Sequence, residues 1–226
     1  MIAENTDDHP IIAYNIRPPR RHPASFMPPK MSAEIVDSHI HLFRSSDLSS
    51  LSWMTPSHAL YATHNVGEYS AARGDASTGG FVFVETDRAY THPLAATREC
   101  LSQPLVEVAF AAALESCCGV VAFAPVPLGA AGMRAWWDLL GDEKQCVRGV
   151  RFLFQDKPPG TMLLPAAASG VRWALHNGLA FDLGVDFRTG GAWQLDEAVV
   201  LLNRVFEQPN GGGGWVVLGA CSRRRL

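Results

Sequence analysis

The stretch Ile35-Val-Asp-Ser-His-Ile-His-Leu-Phe43 decides the reading of this chain. It opens on the apolar pair Ile35-Val36, the start of a run of strand length, and His39 and His41 stand at positions i and i+2 within it. On a β-strand such residues point to one face, so the two imidazoles project together. Two neutral nitrogens converging on one point make half of a zinc-type site, which normally draws on three or four protein ligands. Packing histidines that happen to lie two apart are the alternative for an isolated pair.

Further apolar runs follow: Phe81-Val-Phe-Val84, Val120-Val-Ala-Phe123, Val150-Arg-Phe-Leu-Phe154, Leu179-Ala-Phe-Asp-Leu183 and Trp215-Val-Val-Leu218. Continuous apolar character suits strands buried on both faces. Between them lie helix-like stretches. From Gln194 to Glu207, Leu195, Val199, Leu202 and Val205/Phe206 fall on one face, and Trp136, Leu139 and Leu140 form a shorter stripe. A helix is expected within Leu94 to Glu115, interrupted by Pro104. Strand starts recur at roughly 30 to 46 residues, the spacing of βα units in a parallel sheet. A doubly wound sheet and a barrel both fit that spacing. The first strand, however, is followed by no Gly-rich turn, and polar residues gather just after the strands: Glu85-Thr-Asp-Arg88, Gln155-Asp-Lys157 and Asp186. The fold predicted is α/β, a (β/α) TIM-type barrel.

The rest of the chain bounds this reading. It has 226 residues, 47% of them hydrophobic and 18% charged, an ordinary globular balance. A net charge of −3 gives no basic field for nucleic acid. No run of 18 apolar residues spans a membrane, and no signal-peptide core opens the chain. Cys100, Cys117, Cys118, Cys146 and Cys221 form no Cys-x-x-Cys pair, which fits a reduced, cytoplasmic protein. Residues 1–33, with Arg17-Pro-Pro-Arg-Arg-His-Pro and Pro28-Pro29, read as a disordered Pro/Arg-rich extension. The barrel domain is expected over 34–218, and 219–226 is an atypical basic tail.

Ile35 to Phe43 resembles the opening strand of amidohydrolase-related proteins, the TIM-barrel metal-dependent hydrolases. Within them the chain is most similar to fungal L-rhamnono-gamma-lactonases. The resemblance runs through Trp53-Met-Thr-Pro56, Gly80-Phe-Val-Phe-Val-Glu-Thr-Asp-Arg88 and Val147-Arg-Gly-Val-Arg-Phe-Leu-Phe-Gln-Asp-Lys-Pro158. It continues over Gly160-Thr-Met162, Phe181-Asp-Leu-Gly-Val-Asp186 and Trp193-Gln-Leu-Asp-Glu-Ala198, covering about residues 34 to 210. It implies opening of a small sugar lactone by metal-activated water, with His39 and His41 as ligands of a divalent metal, Zn2+. Arg88, Arg151 and Lys157 are candidates to contact the substrate, with ion pairing as their structural alternative. Asp186 is a candidate for binding sugar hydroxyls, or a cap for the next helix.

The resemblance also implies eight βα units, and the chain has room for five to six. The family pattern places a histidine at the end of the sixth strand and an acid on the eighth. Here the sixth run carries Gly219 and Ala220, followed by Ser222-Arg-Arg-Arg-Leu226. The chain thus reads as truncated after the sixth strand, with weak metal binding and an open barrel edge prone to homo-oligomerisation or aggregation. A non-catalytic fragment of such an enzyme, or a related decarboxylase, are the alternatives to a lactonase.

Overall fold

The computed structural model describes residues 35–74, 78–207 and 214–220. The expected N-terminal extension and the basic tail from residue 221 lie outside the described residues. Six strands follow one another: β1 (Ile35–Ile40), β2 (Thr78–Val84), β3 (Cys117–Phe123), β4 (Val147–Leu153), β5 (Ala180–Val185) and β6 (Val216–Ala220). Between them lie α1 (Val66–Arg73), α2 (Ser102–Ala112), α3 (Gly129–Leu139), α4 (Pro165–His176) and α5 (Trp193–Phe206). Every adjacent strand pair is parallel, and the order in the sheet is β1-β2-β3-β4-β5-β6. A doubly wound sheet reverses its strand order part-way. This one never does, so each crossover turns the same way and the sheet curls as a barrel wall. Five βα units and a sixth strand are present among the described residues, as the strand count in the sequence predicts.

The apolar runs of β2 to β5 become strands because both their faces are covered. Phe81 and Phe83 are fully buried and face the helix layer, where Tyr69 of α1 meets Phe81 and Phe110 of α2 meets Phe83. Trp136 and Met133 of α3, Val171 and Ala174 of α4, and Leu201 and Val205 of α5 complete that layer. The opposite faces of the strands carry Arg151 and Asp182, partners in the β4–β5 register.

Three local expectations change. Pro104 does not interrupt α2; it sits in its first turn, where the missing N–H has no intrahelical partner to lose. The buried face of α5 is Gln194, Ala198, Leu201 and Val205, and Val199 of the expected stripe is exposed. Helix α4, which carries no apolar stripe in the sequence, buries mainly alanines and Gly170, residues with little apolar signal. Among the described residues no helix is long and apolar enough to cross a membrane.

Candidate active site

β1 brings its histidines to the inner side of the sheet because Ile40, between them, packs outward against the core. The His39 and His41 Nε2 atoms lie 3.0 Å apart, with ring centroids 4.8 Å apart and the rings steeply inclined. His41 Nδ1 lies 2.9 Å from the Val84 carbonyl oxygen at the end of β2. A carbonyl only accepts, so Nδ1 carries the proton and Nε2 presents its lone pair. This is the arrangement by which a backbone carbonyl fixes the tautomer of a metal-binding histidine.

Both histidines are exposed on the inner side of the sheet, yet the surrounding protein removes part of their contact with bulk water. Burial, reinforced by the nearby Arg151 cation, lowers the His39 pKa against the pull of Asp182 and Asp37. Burial lowers His41 to about 4, with His39 and Arg151 adding to the effect. Both imidazoles are therefore neutral near pH 7, the form that binds a metal. Two nitrogens 3.0 Å apart can both reach one ion at the usual Zn–N length of about 2.0–2.1 Å. The pair fits two ligand positions. Among the described residues, no group of three His, Cys, Asp or Glu residues completes a metal site.

Beside His39 lies a buried charge cluster. Arg151 Nε is 3.4 Å from Asp182 Oδ2 and 3.8 Å from Glu85 Oε1. Asp182 Oδ1 and Glu85 Oε1 are buried and accept no hydrogen bond among the described residues. Burial pushes the Asp182 carboxyl up. Burial and then Glu107 push Glu85 up as well, against Arg151. Glu107, also raised by burial, has a carboxylate oxygen that accepts from the Thr86 N–H, the Thr86 hydroxyl and Arg88 Nε. Of the two glutamates, Glu85 is therefore the better proton holder.

The other predicted residues lie at strand ends in different settings. Arg88 is almost fully buried, with its guanidinium 3.1 Å from Asp47 and 3.3 Å from Glu107. It ties the turn Ser45–Ser50, after β1, to α2. The same loop is held by Ser52 N–H to the Asp87 carbonyl and Trp53 Nε1 to the Thr86 carbonyl. Lys157 Nζ lies 5.5 Å from the Tyr90 ring centre and 5.6 Å from that of Phe152. Asp186 accepts from the N–H groups of Arg188 and Thr189 and from the Thr189 hydroxyl, in the turn leading to α5.

Arg151 is thus the one candidate among these four whose charge acts on the histidine pair. Asp182 was not singled out by sequence, although a lone acid within Leu179-Ala-Phe-Asp-Leu183 is a signal: a strand buried on both faces keeps a carboxylate only beside a partner. Glu85 stands out in the sequence only as one of the polar residues that follow the second strand. The remaining histidines among the described residues make local contacts, His58 with the Leu60 N–H, His64 with the Phe43 ring, His92 with Tyr90, and His176 with the Arg172 carbonyl.

No family model matches the chain. Over 76% of its length it is 30% identical to an L-rhamnono-gamma-lactonase of Scheffersomyces stipitis, spanning 57% of that protein. Among solved structures it is similar to an amidohydrolase of Burkholderia multivorans crystallised with zinc. The TM-score is 0.60 at 19% identity, covering 82% of this chain and 57% of the other. A second crystal form of that amidohydrolase, with HEPES bound, gives a TM-score of 0.57 at 19% identity, covering 82% and 56%. The chain spans little more than half the length of these relatives. It has six strands of a (β/α) barrel similar to that of this amidohydrolase, and in sequence it resembles an L-rhamnono-gamma-lactonase.

Proposed function

We propose that this chain carries the histidine-pair half of a metal-dependent hydrolase site that opens a sugar lactone, such as L-rhamnono-1,4-lactone, to the aldonic acid. The observation that carries this reading is the 3.0 Å approach of the two Nε2 atoms, with His41 oriented by the Val84 carbonyl. His39 and His41 would hold the metal, which when bound supplies a polarised ester carbonyl and an acidified water. Arg151, fixed between Glu85 and Asp182, supplies a preorganised positive charge beside the pair, suited to the negative charge that develops on the carbonyl oxygen. Lys157, beyond the end of β4, is the candidate for contacting the ester end of the substrate, and Asp186, beyond the end of β5, for contacting the sugar hydroxyls. Arg88 acts through the loop it braces. The free thiols Cys100, Cys117, Cys118 and Cys146 suit a reducing, cytoplasmic setting.

A second reading rests on the ligand set: two histidines, with no third ligand among the described residues, suit a protein that binds without turning over. Acid release from L-rhamnono-1,4-lactone by the purified chain, with zinc supplied, separates the two. Turnover that disappears in His39→Ala and falls at least about 100-fold in Arg151→Met supports the hydrolase. Zinc bound through the histidines with no acid released from aldonolactones supports the second reading.

A further inference from the structure

Lys157 is a half-buried cation whose ammonium meets two aromatic faces and, among the described residues, no carboxylate. Its position is built rather than incidental. The Lys157 N–H donates to the Phe154 carbonyl, closing a turn directly after β4. Gln194, wholly buried in α5, donates its amide N–H to the Gln155 carbonyl while its oxygen accepts from the Asp186 N–H, so it stitches the ends of β4 and β5 together. Glu197, one turn further on, accepts from the Gly160 N–H at 2.6 Å. The loop carrying Lys157 is therefore pinned on both sides of the lysine, and Pro158 and Pro159 stiffen it.

Below the ammonium, Tyr90 packs on Phe123 and His92, and Phe123 on Phe152, giving an aromatic floor at the strand-end rim of the barrel. A cation over such a floor gains about 0.5–2 kcal/mol, but ring faces leave its three N–H donors without acceptors. Removing it partly from water without a counter-ion is unfavourable unless an anion arrives. A carboxylate answers both needs through charge-assisted hydrogen bonds.

We infer that Lys157, over Tyr90 and Phe152, forms a carboxylate subsite that holds the anionic aldonate product at the mouth of the barrel, and so makes the protein product-sensitive. The inference rests on the lactonase reading for the identity of the acid. A lactone is neutral and its hydrolysis product is an anion, so a lone cation at the rim tells one from the other by charge alone. Retained aldonate would then compete with incoming lactone.

The test is equilibrium binding to the full chain without added metal, using L-rhamnonate as the probe and the uncharged polyol L-rhamnitol as control. Rhamnonate should bind, bind at least about tenfold more weakly to Lys157→Met, and keep most of its affinity for Lys157→Arg. Rhamnitol should not distinguish the wild type from Lys157→Met. Absence of rhamnonate binding to the wild type, or equal binding by Lys157→Met, would overturn the subsite. Because no turnover is measured, this result is independent of whether the chain hydrolyses lactones, which the acid-release experiment decides separately.

Discussion

At the scale of single residues, charge and burial decide what each group can do. Arg88 is nearly inaccessible and neutralises two acids drawn from different elements, Asp47 and Glu107. Replacing it by methionine would leave both carboxylates beside an uncharged neighbour. The expected loss is about 3–5 kcal/mol of folding stability, read from urea unfolding. Zinc binding by the folded fraction should stay unchanged, since Arg88 touches neither histidine. His41 gives a second expectation, with a definite sign. In the folded chain it takes its proton only near pH 4, whereas in the unfolded chain it does so near 6.5. Between those values the unfolded state binds more protons, so metal-free stability falls as the pH drops from about 6.5 to about 4. Urea midpoints across that range should decline, and less steeply in His41→Asn. The histidine pair was legible in the sequence because strand periodicity alone puts i and i+2 together. Asp182 and Glu85 were not, because their meaning lies in a register: Arg151 reaches Asp182 only because β4 and β5 pair as they do.

At the scale of elements, the strands were legible and the helices unevenly so. Apolar runs mark strands wherever β-branched and aromatic residues cluster, and β2 to β5, the buried ones, stand out this way most clearly. Helix α4 shows why others escape. It begins with Pro165 at its first turn and buries Ala167, Ala168, Gly170, Val171, Ala174 and Leu175, so close approach takes the place of bulk. An added Cβ at Gly170 would stand 2.3 Å from the Val126 carbonyl oxygen, and backbone cannot swing aside as a side chain does. Alanine is the better helix former by about 1 kcal/mol. Gly170→Ala should nonetheless destabilise the chain by about 1–3 kcal/mol, because the clash outweighs the propensity. Chemical denaturation measures the sign. A gain in stability would mean that α4 is free to move away from the turn at Val126–Leu128.

At the scale of the whole molecule, the strand order carries the argument. A sheet that runs β1 to β6 without reversal is a barrel wall, and its two outer strands each leave an edge unpaired among the described residues. Ile35 on β1 is 71% exposed, and Trp215, Val217 and Leu218, at or on β6, are each more than half exposed. Apolar edges of that kind invite pairing with another chain. Concentration-dependent association should appear in sedimentation velocity and weaken in Val217→Lys. The same geometry explains the ligand count. A barrel site draws its groups from the ends of many strands, and here one strand supplies both histidines while β2, β4 and β5 contribute only the charges around them.

The most direct measurement is a cobalt(II) titration of the full chain, followed by its visible d–d absorption, beside His39→Ala and His41→Ala. One ion should bind per chain, with nitrogen ligation in the spectrum, and either substitution should weaken binding by at least about tenfold. Failure of the wild type to bind, or binding that neither substitution changes, would contradict the assignment of His39 and His41 as metal ligands.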